Sequence, residues 1–312
     1  RLQVRAERDI HRRQRHVRHS AHHLALADVE AHALHPRTRA QVLHREQCRA
    51  VLAALDAAES ALTGFINAIE PGFIRGGRLI YLGAGTSGRL GVLDASEIPP
   101  TFQIPPGRII GLIAGGDGSL RTSSEGKEDE PAGAVPELER LHLGPDDAVL
   151  GIAAGGTTPY VQGALAWAKT LPQPPRTALL SCAPIPPPPG CDHLIVLATG
   201  PEIITGSTRL MAGTATKLAL NTISTVLMVR LGKVYGNLMV DLRASNVKLR
   251  DRAARIISTV SGASRDEAFA LLDAADGQVK VAIVMRRRGG DADAARELLA
   301  SAAGHLATVI DR

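Results

Sequence analysis

The chain has 312 residues, of which 45% are hydrophobic and only 3% aromatic, so it is long enough for a large and a small domain whose cores are mainly aliphatic. No uncharged apolar run reaches the roughly 18 residues of a membrane helix, and no secretory signal is predicted, so we expect no membrane association. The net charge of +5 arises in residues 1–50, which hold eleven Arg and five acidic residues.

Residues 1–40 form a basic, Arg- and His-rich arm that we predict to be poorly ordered. Eight of the eleven histidines lie within the first 50 residues. Basic arms can bind nucleic acid, and His-rich tracts can bind metal. Here the Arg and His residues lack aromatic neighbours, helical phasing and metal-ligand spacing. We therefore expect neither a nucleic-acid partner nor a metal site.

Helical and strand-like segments alternate beyond the arm. Residues 41–74 have apolar side chains at three- and four-residue spacing, which predicts a helix. Further helices are predicted up to Glu97, after Thr157 and at 207–232. Short aliphatic and β-branched runs predict strands at 78–85, 108–116, 147–156, 176–182 and 193–199. Uniformly apolar strands are typical of a parallel sheet covered on both faces, so residues 41–252 are predicted to form a doubly wound, five-stranded α/β domain.

The remaining residues, 253–312, contain no strand pattern and are predicted to form a small helical, UBA-like module. Ser264 and Glu267 have the spacing of a capping box, in which each residue satisfies a free backbone N–H of the other. Gly277 is well placed to stop a helix.

The first predicted strand ends in the glycine pattern Gly83-x-Gly85-x-x-Gly88. This pattern also occurs in dinucleotide sites, which need an acidic residue at the end of the second strand. Asp117 lies nearly thirty residues past Gly88, too far for that role. Thr86 and Ser87 at a helix N-terminus instead suit a phosphate monoester, because the free N–H groups and the helix dipole attract anions. The alternative is a structural turn in which Thr86 only caps the helix.

A second loop of the same kind, AAGGTTPY, follows the third predicted strand. Gly155, Thr157 and Thr158 supply its glycine and hydroxyl groups. Ligands of doubly wound sheets bind at the carboxyl ends of the strands. Two such loops at neighbouring strand ends predict a pocket for one small anion.

Five longer motifs carry a resemblance to a known family: GGRLIYLGAGTSGRLGVLDASEIPPTF, GLIAGG, SEGKEDE, GPEIITGSTRLMAGTATKLALNTIST and RLGKVYGNLMVDLRASNVKLRDRA. Together they resemble the N-acetylmuramic acid 6-phosphate etherases, members of the sugar isomerase (SIS) superfamily. The resemblance extends from about residue 41 to the C-terminus. It implies a SIS-type fold, a cytoplasmic location and no metal or organic cofactor.

The resemblance also implies a reaction. The D-lactyl ether of N-acetylmuramic acid 6-phosphate is removed by elimination and hydration, giving N-acetylglucosamine 6-phosphate and D-lactate. Glu97, the last residue of DASE, corresponds to the acid that protonates the departing lactate, and Glu128 in EGKE corresponds to a second active-site carboxylate. Whether Glu128 is the base or only binds sugar is left open. Glu202, Ser207 and Thr208 occupy a further corner that faces the sugar, although Ser207 is equally suited to capping the next helix.

The position of Glu97 has a consequence for assembly. If residues 86–97 form one helix, Glu97 lies about 16 Å from the phosphate loop, which is longer than a hexose 6-phosphate. Either the helix breaks before Glu97, or Glu97 serves the site of a neighbouring subunit. Pro99 and Pro100 predict that the helix stops just after Glu97. We favour a homodimer with shared sites.

One motif departs from the family pattern. Etherases read Ala-Ser-Gly-Arg-Thr-Pro-Tyr at the second loop, whereas Gly155 and Thr157 stand here in place of the serine and the arginine. The loop is thereby closer to glucokinase regulatory protein, a non-catalytic SIS relative that binds fructose phosphates. The alternatives to an etherase are therefore a sugar-phosphate-binding regulator and a phosphosugar isomerase of the same superfamily. Glu97 favours the etherase, since a binding protein needs no proton donor.

Overall fold

The structure is a computed structural model that describes residues 36–242 and 246–311. Its centre is a parallel five-stranded sheet of order β2-β1-β3-β4-β5. The strands are β1 (Leu79–Gly83), β2 (Ile109–Ile113), β3 (Ala148–Ile152), β4 (Arg176–Ser181) and β5 (His193–Val196). All five lie within the runs predicted from the sequence, so the predicted α/β fold is confirmed.

Helices cover both faces of this sheet. They are α1 (Pro36–Ala57), α2 (Glu59–Ile74), α3 (Gly85–Phe102), α4 (Val135–Arg140), α5 (Pro159–Ala168) and α6 (Met211–Arg230). Strand β1 is buried along its whole length, and successive side chains point to opposite faces. Leu79 and Tyr81 therefore join the core under α1, α2, α3 and α6, whereas Ile80 and Leu82 join the core under α4 and α5.

Two helix predictions need correction at their boundaries. The segment predicted as one helix over 41–74 is two helices, α1 and α2, with a bend of 52° between them. Helix α3 does not end near Glu97: it continues through Pro99 and Pro100 to Phe102. The buried Ile98 and Phe102 anchor its last turns in the core, and Gln103 ends it in a left-handed conformation at φ 52.

The C-terminal part is helical, as predicted. A short hairpin, β6 (Val234–Tyr235) and β7 (Leu238–Met239), precedes α7 (Val247–Ser261), which spans the predicted domain boundary at 252. Helices α8 (Arg265–Ala274), α9 (Val279–Arg288), α10 (Ala292–Ser301) and α11 (Leu306–Ile310) follow. The Ser264–Glu267 capping box is present, and Gly277 has the positive φ of a stop residue. These helices share a second hydrophobic core that begins at Val240.

Within the described ranges no single helix is long and apolar enough to cross a membrane, although the bent pair Arg45–Ala57 and Glu59–Ile74 together passes that test of length and composition. The predicted basic arm falls mostly on residues 1–35, which lie outside the described residues. Its last five residues belong to α1, which begins at Pro36.

Candidate functional site

The candidate site lies where the chain reverses direction across the sheet. Strand β1 pairs with β2 on one side and with β3 on the other, so Gly83 is level with both Ile113 and Ile152. In doubly wound sheets this switch point opens a crevice at the carboxyl ends of the strands. The glycine loop after β1 and the Gly/Thr loop after β3 both border this crevice. The predicted neighbourhood of the two loops is thus a consequence of the strand order.

The glycine loop brings the start of α3 directly onto the end of β1. A Cβ atom at Gly88 would lie 2.5 Å from the carbonyl oxygen of Gly83, and one at Gly83 would lie 2.8 Å from the backbone nitrogen of Gly88. Gly85 has φ 52 and open space around it. These three positions therefore require glycine for close approach or for backbone conformation.

No side chain caps α3. The residue at the cap position is Ala84, and no side-chain hydrogen bond to the first turn is formed there. The interpretation of Thr86 as a helix cap is therefore wrong. Thr86 and Ser87 are half-buried in the first turn, where backbone N–H groups have no partner within the helix. This end of α3 can present N–H groups, two hydroxyl groups and the positive end of the helix dipole to a phosphate.

The second loop leads into α5 in a similar way. Thr158 occupies the cap position of α5 without a side-chain cap bond, and Pro159 follows as the first helical residue. Gly156 has φ 75, and a Cβ there would lie 2.3 Å from a side-chain carbon of Ile185. By contrast, only the Thr157 hydroxyl, at 3.8 Å, lies within 4 Å of a Cβ added at Gly155. Position 155 therefore has room for a small side chain such as that of serine.

The acidic segment after β2 folds back over these loops. Arg89, one residue past Gly88, donates hydrogen bonds to the backbone oxygens of Ser119 (2.7 Å) and Leu120 (3.1 Å). Farther on, the carbonyl oxygen of Glu128 accepts a hydrogen bond of 3.0 Å from the backbone N–H of Tyr160 in α5. These contacts bring the exposed Glu128 to the second loop. Nothing in the local sequence predicted this anchoring by Arg89.

The corner before α6 lies beside the glycine loop. A Cβ added at Gly213 in α6 would be 3.5 Å from the Thr86 methyl group, so these two segments are in contact distance. The carbonyl oxygen of Thr208 accepts a hydrogen bond from the N–H of Gly213. Ser207 is not a helix cap, because α6 begins at Met211 with Leu210 in the cap position. Both hydroxyl residues thus remain candidates for contacts to a sugar.

Glu202 has a role that differs from the predicted one. Its two carboxylate oxygens each accept a hydrogen bond of 2.9 Å, one from the backbone N–H of Met211 and one from that of Ala212. The carboxylate therefore caps α6 from nine residues upstream and occupies the positive end of that helix. In this arrangement Glu202 holds the corner in position.

Glu97 lies far from these loops in its own chain. Helix α3 is unbroken between Thr86 and Glu97, which places the two residues about 16 Å apart along its axis. Glu97 is exposed, and so is Leu93 one turn before it, which is 43% exposed. The backbone of Glu128 is thus anchored to α5 beside the second loop, whereas Glu97 lies on an exposed face of α3.

Asp94, also in the DASE motif, was not singled out from the sequence. It is only 3% exposed and accepts hydrogen bonds from Asn221 (2.7 Å), Tyr81 (3.1 Å) and Ser224 (3.2 Å). Burial raises its pKa, the three hydrogen bonds oppose this shift, and the nearby Glu97 adds to it. Asp94 lies at helical spacing from the apolar residues of α3, and this spacing could have identified it as a buried carboxylate.

Within residues 36–242 and 246–311, no group of three or more His, Cys, Asp or Glu side chains is placed to hold a metal ion. The polar groups of the two loops are backbone N–H groups and the hydroxyl groups of Thr86, Ser87, Thr157 and Thr158; Glu128 is anchored nearby through its backbone. They are suited to binding a phosphorylated polyol and to proton transfer.

Comparison with known proteins identifies the family. Residues 63–169 match the family described as glucokinase regulatory protein N-terminal SIS domain. A protein of Deinococcus radiodurans named N-acetylmuramic acid 6-phosphate etherase is 50% identical over 264 residues, covering 82% of this chain and 84% of its own. Proteins with the same name from Streptomyces coelicolor (52% identity; 77% of each chain) and Pectobacterium atrosepticum (55% identity; 74% of this chain and 76% of its own) are similarly close. The chain belongs to the N-acetylmuramic acid 6-phosphate etherase family.

Proposed function

We propose that this protein cleaves the D-lactyl ether of N-acetylmuramic acid 6-phosphate, giving N-acetylglucosamine 6-phosphate and D-lactate in the recycling of cell-wall sugar. The observation that carries the proposal is the 50% identity to an etherase-named relative over 84% of that relative. The intact DASE motif and the two Gly/hydroxyl loops at one switch point agree with it.

The phosphate of the substrate is assigned to the N-terminus of α3. The first turn of α3 follows β1 directly and carries Thr86, Ser87 and N–H groups that have no partner within the helix. The sugar extends from the phosphate toward Gly155, Thr157 and Thr158 on one side and toward Ser207 and Thr208 on the other. Gly85 and Gly88 contribute to this site through the backbone.

The reaction needs a base and an acid. In the open-chain aldehyde the proton on carbon 2 is acidified by the neighbouring carbonyl group, and a carboxylate removes it. The bond between carbon 3 and the ether oxygen then breaks, and a protonated carboxyl group supplies a proton so that lactate leaves as an alcohol. Water adds to carbon 3 of the unsaturated aldehyde, and a proton returns to carbon 2.

Glu97 is assigned as the acid, acting in the site of a partner subunit. The unbroken α3 keeps it about 16 Å from its own phosphate loop, whereas an exposed carboxyl group beside the exposed Leu93 suits a face between two copies. A homodimer with two shared sites follows. Glu128 is assigned to the crevice of its own chain, as the base or as a sugar ligand.

A cytoplasmic location is part of the proposal. Cys182 and Cys191 are free thiols, which is the usual state in a reducing compartment. Sugar phosphates such as the proposed substrate are metabolites of the cytoplasm, which agrees with this location.

A sugar-phosphate-binding regulator is the second candidate. It is favoured by the match of residues 63–169 to the N-terminal SIS domain of glucokinase regulatory protein, and by Gly155 and Thr157 in place of serine and arginine. Such a protein binds the phosphosugar and releases no lactate.

The experiment is D-lactate release from N-acetylmuramic acid 6-phosphate. The unmodified protein is expected to form lactate, and Glu97→Gln is expected to lower kcat by at least about 100-fold with little change in phosphosugar affinity. Glu139→Gln, an exposed acid on α4, is the matched control and should retain full activity. Binding without lactate release by the unmodified protein would establish the regulator instead.

The shared site has its own test. Glu97→Gln and Ser87→Ala each inactivate one half of a site, so mixing the two inactive variants should restore up to about a quarter of the activity in mixed dimers. If subunit exchange is verified and no activity is recovered, both residues act in the site of one chain.

A further inference from the structure

A cavity of about 550 Å³ lies at the opposite end of α3 from the glycine loop. This volume is within the range of small-molecule sites. The 18 residues of α3 separate it from the phosphate loop by about 27 Å. Its walls come from the end of α3, the chain around the β6–β7 hairpin, the start of α9 and the end of α10, and the main lining residues are Gln103, Leu231, Val240, Leu242, Val279 and Leu299.

The charges of this cavity are two lysines and one aspartate. Lys233 and Lys280 place their ammonium nitrogens 2.8 Å and 3.0 Å from the same oxygen, Oδ2 of Asp241. The cavity wall thus carries a net charge of +1 from these three residues. The Lys280 side chain is only 8% exposed, so its charge is held in a poorly solvated position. A second anion beside Asp241 would complete the neutralisation of the two ammonium groups.

Lys280 also retains hydrogen-bonding capacity. Besides Asp241 it donates to the carbonyl oxygen of Gly304 at 2.8 Å. An ammonium group has three donors, and within residues 36–242 and 246–311 Lys280 donates to these two acceptors. Burial lowers the pKa of Lys280, and the Asp241 charge opposes that effect. An acidic ligand that accepted the third hydrogen bond would act in the same direction as Asp241.

We propose that this cavity is a second ligand site, which binds a small organic acid through Lys233 and Lys280. The acid group, a carboxylate or a phosphate monoester, lies against the two ammonium groups, and the body of the ligand packs on the aliphatic walls. None of its lining residues belongs to the crevice at the switch point of the same chain.

The test uses 4-iodobenzoate, which combines a carboxylate, an apolar body and an atom with strong anomalous scattering. Crystals of the unmodified full chain soaked with it should give an iodine peak in the cavity, with the carboxylate within about 3 Å of Lys280 or Lys233. The neutral 4-iodobenzamide should bind at least about tenfold more weakly in solution, since it lacks the charge-assisted hydrogen bond. Equal affinity for the two compounds, or iodine found only elsewhere, would overturn the proposal.

Variants supply a second readout. Lys280→Met removes the ammonium group while Lys233 still pairs with Asp241, and it should lower the affinity for 4-iodobenzoate at least about tenfold. Lys233→Met should act in the same direction and serves if the buried substitution prevents folding. Ser87→Ala, in the phosphate loop, should leave this affinity within about twofold. Loss of binding in Ser87→Ala together with unchanged binding in both lysine variants would assign the compound to the crevice and contradict the proposal.

Discussion

Substitution of Gly88 by alanine tests how tightly α3 is packed against β1. The added Cβ would lie 2.5 Å from the Gly83 carbonyl oxygen and 2.7 Å from Cγ1 of Ile113, about 1 Å closer than an ordinary contact. Overpacking of this kind costs about 3 kcal/mol when the clashing atom belongs to a strand paired on both sides. Alanine regains about 1 kcal/mol of helix propensity, so a net loss of about 2 kcal/mol is expected.

Gly64→Ala is the matched control. Gly64 lies in the exposed part of α2, and nothing within 4 Å would meet its added Cβ. Its substitution should therefore raise stability by about 0.5–1 kcal/mol. The free energies of unfolding are compared by urea titration followed by circular dichroism. Gly88→Ala proving as stable as Gly64→Ala would refute the close approach of α3 and β1, and with it the geometry assigned to the phosphate loop.

Three further outcomes follow from carboxylates that accept several hydrogen bonds. Burial alone would raise the pKa of Asp147, but the hydrogen bonds from Arg78 outweigh burial, so this pKa is lowered. Asp147→Asn should therefore lower the free energy of unfolding by about 1–3 kcal/mol at pH 7. This loss of stability should shrink as the pH falls below about 4. The opposite holds for Asp94, because burial raises its pKa. As the pH rises from about 4 through that raised pKa, the unmodified protein should lose stability relative to Asp94→Asn. The same pH dependence of stability in both proteins would contradict this. Glu202→Ala should remove the cap of α6 and lower stability by about 1–2 kcal/mol, measured by thermal unfolding, whereas a ligand-directed Glu202 would weaken only substrate binding.

The strands and the two Gly/hydroxyl loops were predictable because their signals are local. Each strand is a short apolar run, and each loop follows such a run directly. Burial on both faces of a parallel sheet imposes this pattern on the sequence itself. The order of the strands then fixes the crevice without further information.

The end of α3 was not predictable in this way. Pro99 and Pro100 lack the N–H groups that would continue the helix, and local rules end it before them. The buried Ile98 and Phe102 outweigh that loss through tertiary packing, and the Thr101 hydroxyl donates to the carbonyl oxygen of Glu97 at 2.6 Å. The buried residues of α3 are those at 88, 91, 94, 95, 98 and 102. They form one continuous face only if the helix is assumed to continue past the two prolines.

The role of Glu202 was also hidden, since it depends on a contact across nine residues. Its carboxylate reaches the first turn of α6 only because the intervening corner folds back. Arg89 is a similar case: its partners lie thirty residues away, beyond β2. Such contacts are set by the tertiary arrangement of loops, on which spacing along the chain carries little information.

The most direct test of the proposed activity is the reaction of N-acetylmuramic acid 6-phosphate in water enriched in ¹⁸O. Elimination and hydration break the bond between carbon 3 and the ether oxygen, so lactate keeps that oxygen and the sugar gains one from water. The proposal predicts D-lactate without the label and N-acetylglucosamine 6-phosphate with one ¹⁸O at carbon 3. Label in the lactate, or no lactate from a protein that binds the phosphosugar, would contradict it.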